Sequence, residues 1–339
     1  MDNLTHTLVG LMMSRSGIDR KVVRAAPLMM LAANAPDIDT VSIFGGPAMY
    51  LSWHRAYAHS LAFAPVMALL APLLLWIFRR QRITVWAYVF SLAGVLSHLL
   101  LDWTNVYGIR MLLPFSARWL RLDTTDVIDP WIWAILLLAV AAPAFARMVG
   151  SEIASHKVKT APKRGWACVA LVALIGYDGF RYAAHQRALA VMGARLFNGS
   201  IAQVTALPGP SFNPLRWKGI AEGHAVRAID GPLEPFVIIV PVNLNEPFDP
   251  TAGRTDYPAA PTPAIAAARA APAFQSFAQF DQLPFWKTSP LADGTRVELI
   301  DLRFGTPQHP GFEASANVHA SGVVDDARIT LGARPGRTD

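Results

Sequence analysis

Two runs of nineteen residues, Ser60–Phe78 and Ile83–Leu101, contain no Asp, Glu, Lys or Arg. A bilayer core asks for about 20 mostly apolar residues per helix, with about 17 as the lower end. Pro130–Ala146 adds a third run, of seventeen, and Gly165–Tyr177 a fourth, of thirteen. Runs of this length and spacing predict an integral membrane protein. Composition agrees, because 16% of the 339 residues are charged where a soluble domain usually has about 25%. The single Cys168 excludes a disulfide framework and any CxxC metal or redox motif. Asp2 stands where a cleaved leader would carry positive charge, so the opening residues are expected to remain in the mature protein.

Six candidate membrane segments follow along the chain: Leu4–Ser14, Val22–Ala35, Ser60–Phe78, Ile83–Leu101, Pro130–Ala146 and Trp166–Tyr182. The first two are short. The formal charge of +6 points to membrane topology and not to nucleic acid, since the basic residues gather in alternate connections. These are Arg15, Arg20, Lys21 and Arg24; then Arg79, Arg80 and Arg82; then Arg147, Lys157, Lys159, Lys163 and Arg164. An excess of Lys and Arg marks the cytoplasmic side. The predicted fold class is therefore a mainly α-helical integral membrane domain, residues 1–183, with about six membrane segments. A small β-rich extracytoplasmic domain, residues 184–339, follows it. Phe236–Val242, Val297–Phe304 and Ala327–Leu331 read as strands, and the Pro/Ala-rich stretch 258–273 reads as a flexible excursion.

Under that topology a set of His and Asp residues falls at one membrane face, the outer one. It comprises His6, Asp37, Asp39, His54, His59, His98 and Asp102, with Asp123, Asp126 and Asp129 as weaker members. His98 and Asp102 are four apart on a helix and share a face. Imidazoles and carboxylates brought together are ligands suited to Zn²⁺, and Mn²⁺ or Fe²⁺ accept the same set. Asp37 and Asp39 are candidates for direct ligand or for the outer carboxylate that orients a ligating imidazole. Each has a plainer reading as well: a histidine at a helix end is often only hydrogen-bonded, and Asn34–Asp39 makes a natural helix exit. Asp129-Pro130 reads as a helix N-cap followed by proline at the first helical position. Asp123 and Asp126 read as solvated loop residues. No spacing ties His224, His309 and His319 together, and no nucleophile elbow, P-loop or HExxH is present.

Several blocks resemble one family. They are MDNLTHTLVG (Met1–Gly10), NAPDID (Asn34–Asp39), HRAYAHS (His54–Ser60), SHLLLDWTNVYG (Ser97–Gly108), LLPF (Leu112–Phe115) and DVIDPWIW (Asp126–Trp133). In order and spacing, over about the first 135 residues, the chain resembles the YdjM-like family of LexA-regulated, membrane-bound metal-dependent hydrolases. The resemblance implies a multi-pass protein of the bacterial inner membrane, linked to the SOS response. It places the family's polar positions on His6, Asp37, Asp39, His54, His59, His98 and Asp102. The family usually has a glycine where this chain has Ala56 or Tyr57, a departure that leaves both neighbouring histidines in place.

The functional expectation is a membrane-embedded hydrolase that activates water with a divalent metal, foremost Zn²⁺. The expected metal ligands are His6, Asp37, His54, His59, His98 and Asp102. Asp39 is the candidate general base, and Arg55 the candidate stabiliser of negative charge on a phosphoryl group. A site beside the bilayer favours a lipid or another amphiphilic phosphoester. The alternative is a non-catalytic, metal-stabilised scaffold or envelope-stress protein. A transporter would carry ionisable groups deep in several helices, which these charge-free runs lack.

Overall fold

A computed structural model describes residues 1–153, 163–209, 212–226 and 231–332. The helices of the first half are α1 (Asn3–Arg15), α2 (Ala25–Ala32), α3 (Pro47–Trp53), α4 (Ala64–Met67), α5 (Leu70–Arg79), α6 (Val85–Thr104), α7 (Pro130–Ile153) and α8 (Lys163–Gly193). The chain divides into two compact units. The first holds Met1–Asp39 and Arg55–Ala184, and the second holds Thr40–His54 and His185–Asp339.

Among the described residues, two helices are long and apolar enough to cross a membrane: α6 and the Arg164–Gly193 part of α8. A third span is added if the broken pair Pro47–His59 and Ala64–Arg79 counts as one. This corrects the expectation of about six segments, and length explains most of the difference. With a rise of about 1.5 Å per residue, α1 reaches only about 20 Å and α2 about 12 Å, whereas a hydrocarbon core is about 30 Å thick. The Ser60–Phe78 run lacks charge but is not one helix: α4 stops after four residues and α5 begins afresh. Pro65 and Pro72 each fall in the first turn of one of these helices, where a missing N–H costs nothing. The apolar part of α7, Pro130–Pro143, is also short. In α8, Val172 and Ile175 are 70% and 72% exposed, the outward apolar face expected of a helix in lipid.

Two of the basic connections meet within the first unit. Arg24 donates to the Arg79 carbonyl at 2.9 Å and Gln81 to the Val23 carbonyl at 2.8 Å. Lys157, Lys159 and His156 lie outside the described residues. From Val85, beside this basic end, α6 rises about 20 Å over the thirteen residues to His98. Asp129 caps α7 as anticipated, accepting the N–H groups of Trp131 and Ile132 at 2.9 and 3.3 Å.

Glycines set how closely the helices of this unit approach. A Cβ at Gly10 of α1 would stand 2.6 Å from the Met29 carbonyl oxygen, and one at Gly94 of α6 would stand 2.9 Å from the Ala32 Cβ. Thus α2 is gripped on two sides. His6 lies four residues before Gly10 and His98 four residues after Gly94, so each histidine shares a face with its glycine. Gly10→Ala is expected to destabilise the unit by about 1–3 kcal/mol, because the backbone it meets cannot rotate away. Gly176→Ala on α8, where a Cβ meets nothing within 4 Å, serves as the control. Thermal unfolding of the two variants in detergent checks this, and equal melting points would refute the close-packing account.

The second unit is β-rich, with two four-stranded antiparallel sheets. Strands β1 (Gln203–Pro208), β2 (Arg216–Val226), β3 (Leu233–Asn243) and β4 (Arg254–Asp256) form one sheet in that order. After helices α9 (Pro263–Ala270) and α10 (Pro272–Phe280), the second sheet runs β5 (Pro284–Leu291), β6 (Gly294–Asp301), β7 (Phe312–Val318) and β8 (Val324–Leu331). Most of residues 258–273, read as a flexible excursion, instead enters α9 and the start of α10. Thr262 caps α9, and Pro263 and Pro272 open the two helices. Proline pre-sets the first helical turn as well as marking loops. Phe274, Phe277 and Phe280 of α10 are buried, and α3 packs on α10.

Candidate metal centre

His59, His98 and Asp102 are fully buried in the first unit, and the Asp37 side chain is 8% exposed. The four offer ligand atoms that all lie within 4.8 Å of one another. His98 and Asp102 come from successive turns of α6. Asp37 comes from the 3₁₀ segment Pro36–Gly45, which begins soon after α2, and His59 from the 3₁₀ turn Tyr57–His59. His59 Nε2 is 3.4 Å from Asp37 Oδ1 and 3.5 Å from Asp102 Oδ2. His98 Nε2 is 3.6 Å from Asp37 Oδ1 and 3.4 Å from Asp102 Oδ2. These separations are long for charged hydrogen bonds. They match the edge of a tetrahedron, since ligands about 2.0–2.1 Å from a central ion stand about 3.3–3.4 Å apart.

The outer ring nitrogens determine what the inner ones can do. His59 Nδ1 lies 3.0 Å from Asp39 Oδ2, and His98 Nδ1 lies 2.7 Å from the Ala33 carbonyl oxygen. A carboxylate and a carbonyl only accept, so both Nδ1 atoms carry hydrogen. In neutral rings both Nε2 atoms then present lone pairs, and these face each other at 3.1 Å. That contact is repulsive unless a proton or a cation lies between them. With the Asp37 and Asp102 carboxylates around the same point, a divalent cation balances the charge better than a single proton. Asp37 Oδ2 and Asp102 Oδ2 are moreover buried without a hydrogen-bond partner among the described residues. A buried polar atom left so costs about 1–3 kcal/mol. The donor set therefore fits a divalent metal ion.

The remaining predicted residues take distinct places. Asp39 Oδ2 accepts the His59 ring N–H and also the Arg55 backbone N–H, both at 3.0 Å. Arg55, at φ 57°, puts Nη2 3.2 Å from Asp102 Oδ1 and donates through Nη1 to Asn105 Oδ1 at 3.1 Å. Its guanidinium also lies 4.5 Å from the Tyr107 ring centroid. His6 is fully buried, stacks on His98 with centroids 3.8 Å apart, and places Nε2 3.4 Å from Asp102 Oδ1. The Met1 nitrogen lies against the same oxygen. His54 is not one of the four; it belongs to the second unit, where its ring stacks on Tyr50 at the end of α3.

Burial, reinforced by His98 and Arg55, pushes His6 well below the ordinary histidine value and leaves it neutral. Sequence reasoning missed the Ala33 carbonyl, because backbone atoms leave no mark in a motif. It also missed Asn105, which joins Arg55 to the Tyr107 and Gly108 backbone; its place in the SHLLLDWTN block, three residues after Asp102, was the available signal.

A family model described as YdjM inner membrane protein matches residues 1–188. A protein of Bacillus subtilis (strain 168), the uncharacterized protein YfhP, is 24% identical over 327 residues, covering 94% of this chain and 91% of its own length. No solved structure matches.

Proposed function

The chain belongs to the YdjM family of inner membrane proteins, and from that premise we propose that it is a metal-dependent hydrolase acting on a lipid or another amphiphilic phosphoester. The observation that carries this reading is the pair of inward Nε2 atoms, 3.1 Å apart and flanked by two buried carboxylates. Asp37, His59, His98 and Asp102 hold the cation, Zn²⁺ foremost and Mn²⁺ or Fe²⁺ within reach of the same donors. When bound, it supplies Lewis acidity that polarises a phosphoryl or carbonyl oxygen and acidifies water. Asp39 and the Ala33 carbonyl fix the two imidazoles with Nε2 inward, as outer partners of metal-binding histidines do. Arg55 orients Asp102 and offsets its charge. The site faces the periplasm, because the basic connections at the other end of α6 belong in the cytoplasm. A centre built on helices that pack in the membrane meets substrates that partition there.

Four protein ligands around one ion also suit a purely structural metal, since catalytic zinc usually keeps a position open. That favours the scaffold reading, and one experiment separates the two. Protein purified in mild detergent is analysed for metal and then, metal-replete, assayed on panels of phospholipids, small phosphoesters, carboxylic esters and amides. Hydrolysis of at least one class, lost with Asp37→Ala, is the expected result. Bound metal with no turnover on any panel would leave the scaffold, and no bound metal would overturn both readings.

A further inference from the structure

Asp102 presents its two carboxylate oxygens to two different imidazoles. Oδ2 faces His98 Nε2 at 3.4 Å and Oδ1 faces His6 Nε2 at 3.4 Å. The two rings are stacked, with centroids 3.8 Å apart and planes inclined by 23°. Each therefore stands in the same relation to its own oxygen, one stacking distance from the other. Paired metal ions in hydrolytic sites lie about 3.5–4 Å apart and are commonly held by groups that reach both. His6 is fully buried, and neither of its ring nitrogens has a hydrogen-bond partner among the described residues.

We propose that a second divalent cation binds between His6 Nε2 and Asp102 Oδ1, with Asp102 bridging it to the first. The proposal rests on the metal reading above and deepens it. The first position is enclosed by four protein ligands, whereas among the described residues His6 and Asp102 are the imidazole and carboxylate side chains that reach the second. The second cation thus keeps positions for water and for an oxygen of an anionic substrate, the arrangement that distinguishes catalytic from structural sites. The chemistry it suits is displacement at a phosphoryl group, where two cations share the charge of the attacking and leaving oxygens. Arg55 and the Met1 nitrogen compete for Oδ1, so this cation is held less tightly than the first.

The test uses the full chain in detergent, stripped of metal and titrated with Mn²⁺, with stoichiometry read by equilibrium dialysis and the spin state by electron paramagnetic resonance. The parent is expected to take two ions per chain, the second more weakly, and to show the exchange-coupled spectrum of a bridged pair. His6→Gln is expected to take one ion with an uncoupled spectrum, and its retained first ion reports that the site has folded. A parent that saturates with one uncoupled ion overturns the second position and leaves the first intact. A coupled pair in His6→Gln shows that His6 is not its ligand and overturns the proposal as well. A parent that binds no Mn²⁺, Zn²⁺ or Fe²⁺ removes the underlying metal reading, a result distinct from either.

Discussion

Asp102→Asn is expected to purify nearly free of metal and to unfold at a markedly lower temperature than its parent. Two effects combine. The carboxylate faces both inward imidazoles through Oδ2, so its loss should cost more affinity than the about 10–100-fold controlled by outer partners. It also faces the Arg55 guanidinium, which is 3% exposed. Removing one member of a buried pair typically costs about 3–5 kcal/mol, because the other charge is left uncompensated. A double-mutant cycle with Arg55→Gln separates the two effects. The pair of changes should recover part of the stability and none of the metal. If Asp102→Asn retains a full complement of tightly bound metal, Asp102 is not a ligand and the centre is misassigned.

How much of this was legible in the sequence depended on whether a feature is carried by side-chain type or by backbone geometry. Charge-free runs marked α6 and much of α8, because a span in lipid is a statement about composition. They did not mark where such a run breaks: Ser60–Phe78 has the same hydropathy whether α4 continues into α5 or stops. Most of the cluster was legible for a related reason, since Asp37, His59, His98 and Asp102 are residue types that need partners when buried. The four-residue spacing on α6 fixed two of them on one face. The stacking of His6 on His98 could not be read from either histidine. It follows from Gly10 and Gly94, whose missing side chains let α1 and α6 close on α2. The prolines of 258–273 misled because the same fixed φ serves a loop and a first helical turn.

Asp39→Asn decides between two roles that make opposite predictions. As general base, Asp39 would take a proton from water, and its amide would leave bound metal unchanged while turnover fell by roughly 10²-fold or more. The geometry favours the orienting role, because one oxygen, Oδ2, accepts both the His59 ring N–H and the Arg55 backbone N–H. An asparagine carbonyl placed there still accepts both, although it no longer strengthens them by charge. Asp39→Asn is therefore expected to lower metal affinity by about 10-fold, the mild end for an outer partner. Turnover per bound metal should stay close to that of the parent. Asp39→Ala removes the acceptor, leaves two buried N–H groups without it at about 1–3 kcal/mol each, and frees the His59 ring to turn. Its affinity should fall by about 100-fold, the severe end of the same range. Metal titrations of the three proteins, with rates normalised to bound metal, give the answer. If Asp39→Asn binds metal as its parent does but turns over a hundredfold more slowly, Asp39 is the base and the orienting role is lost. If affinity falls in the order Asp, Asn, Ala while the normalised rate holds, the carboxylate acts through His59, and another group must be the proton acceptor.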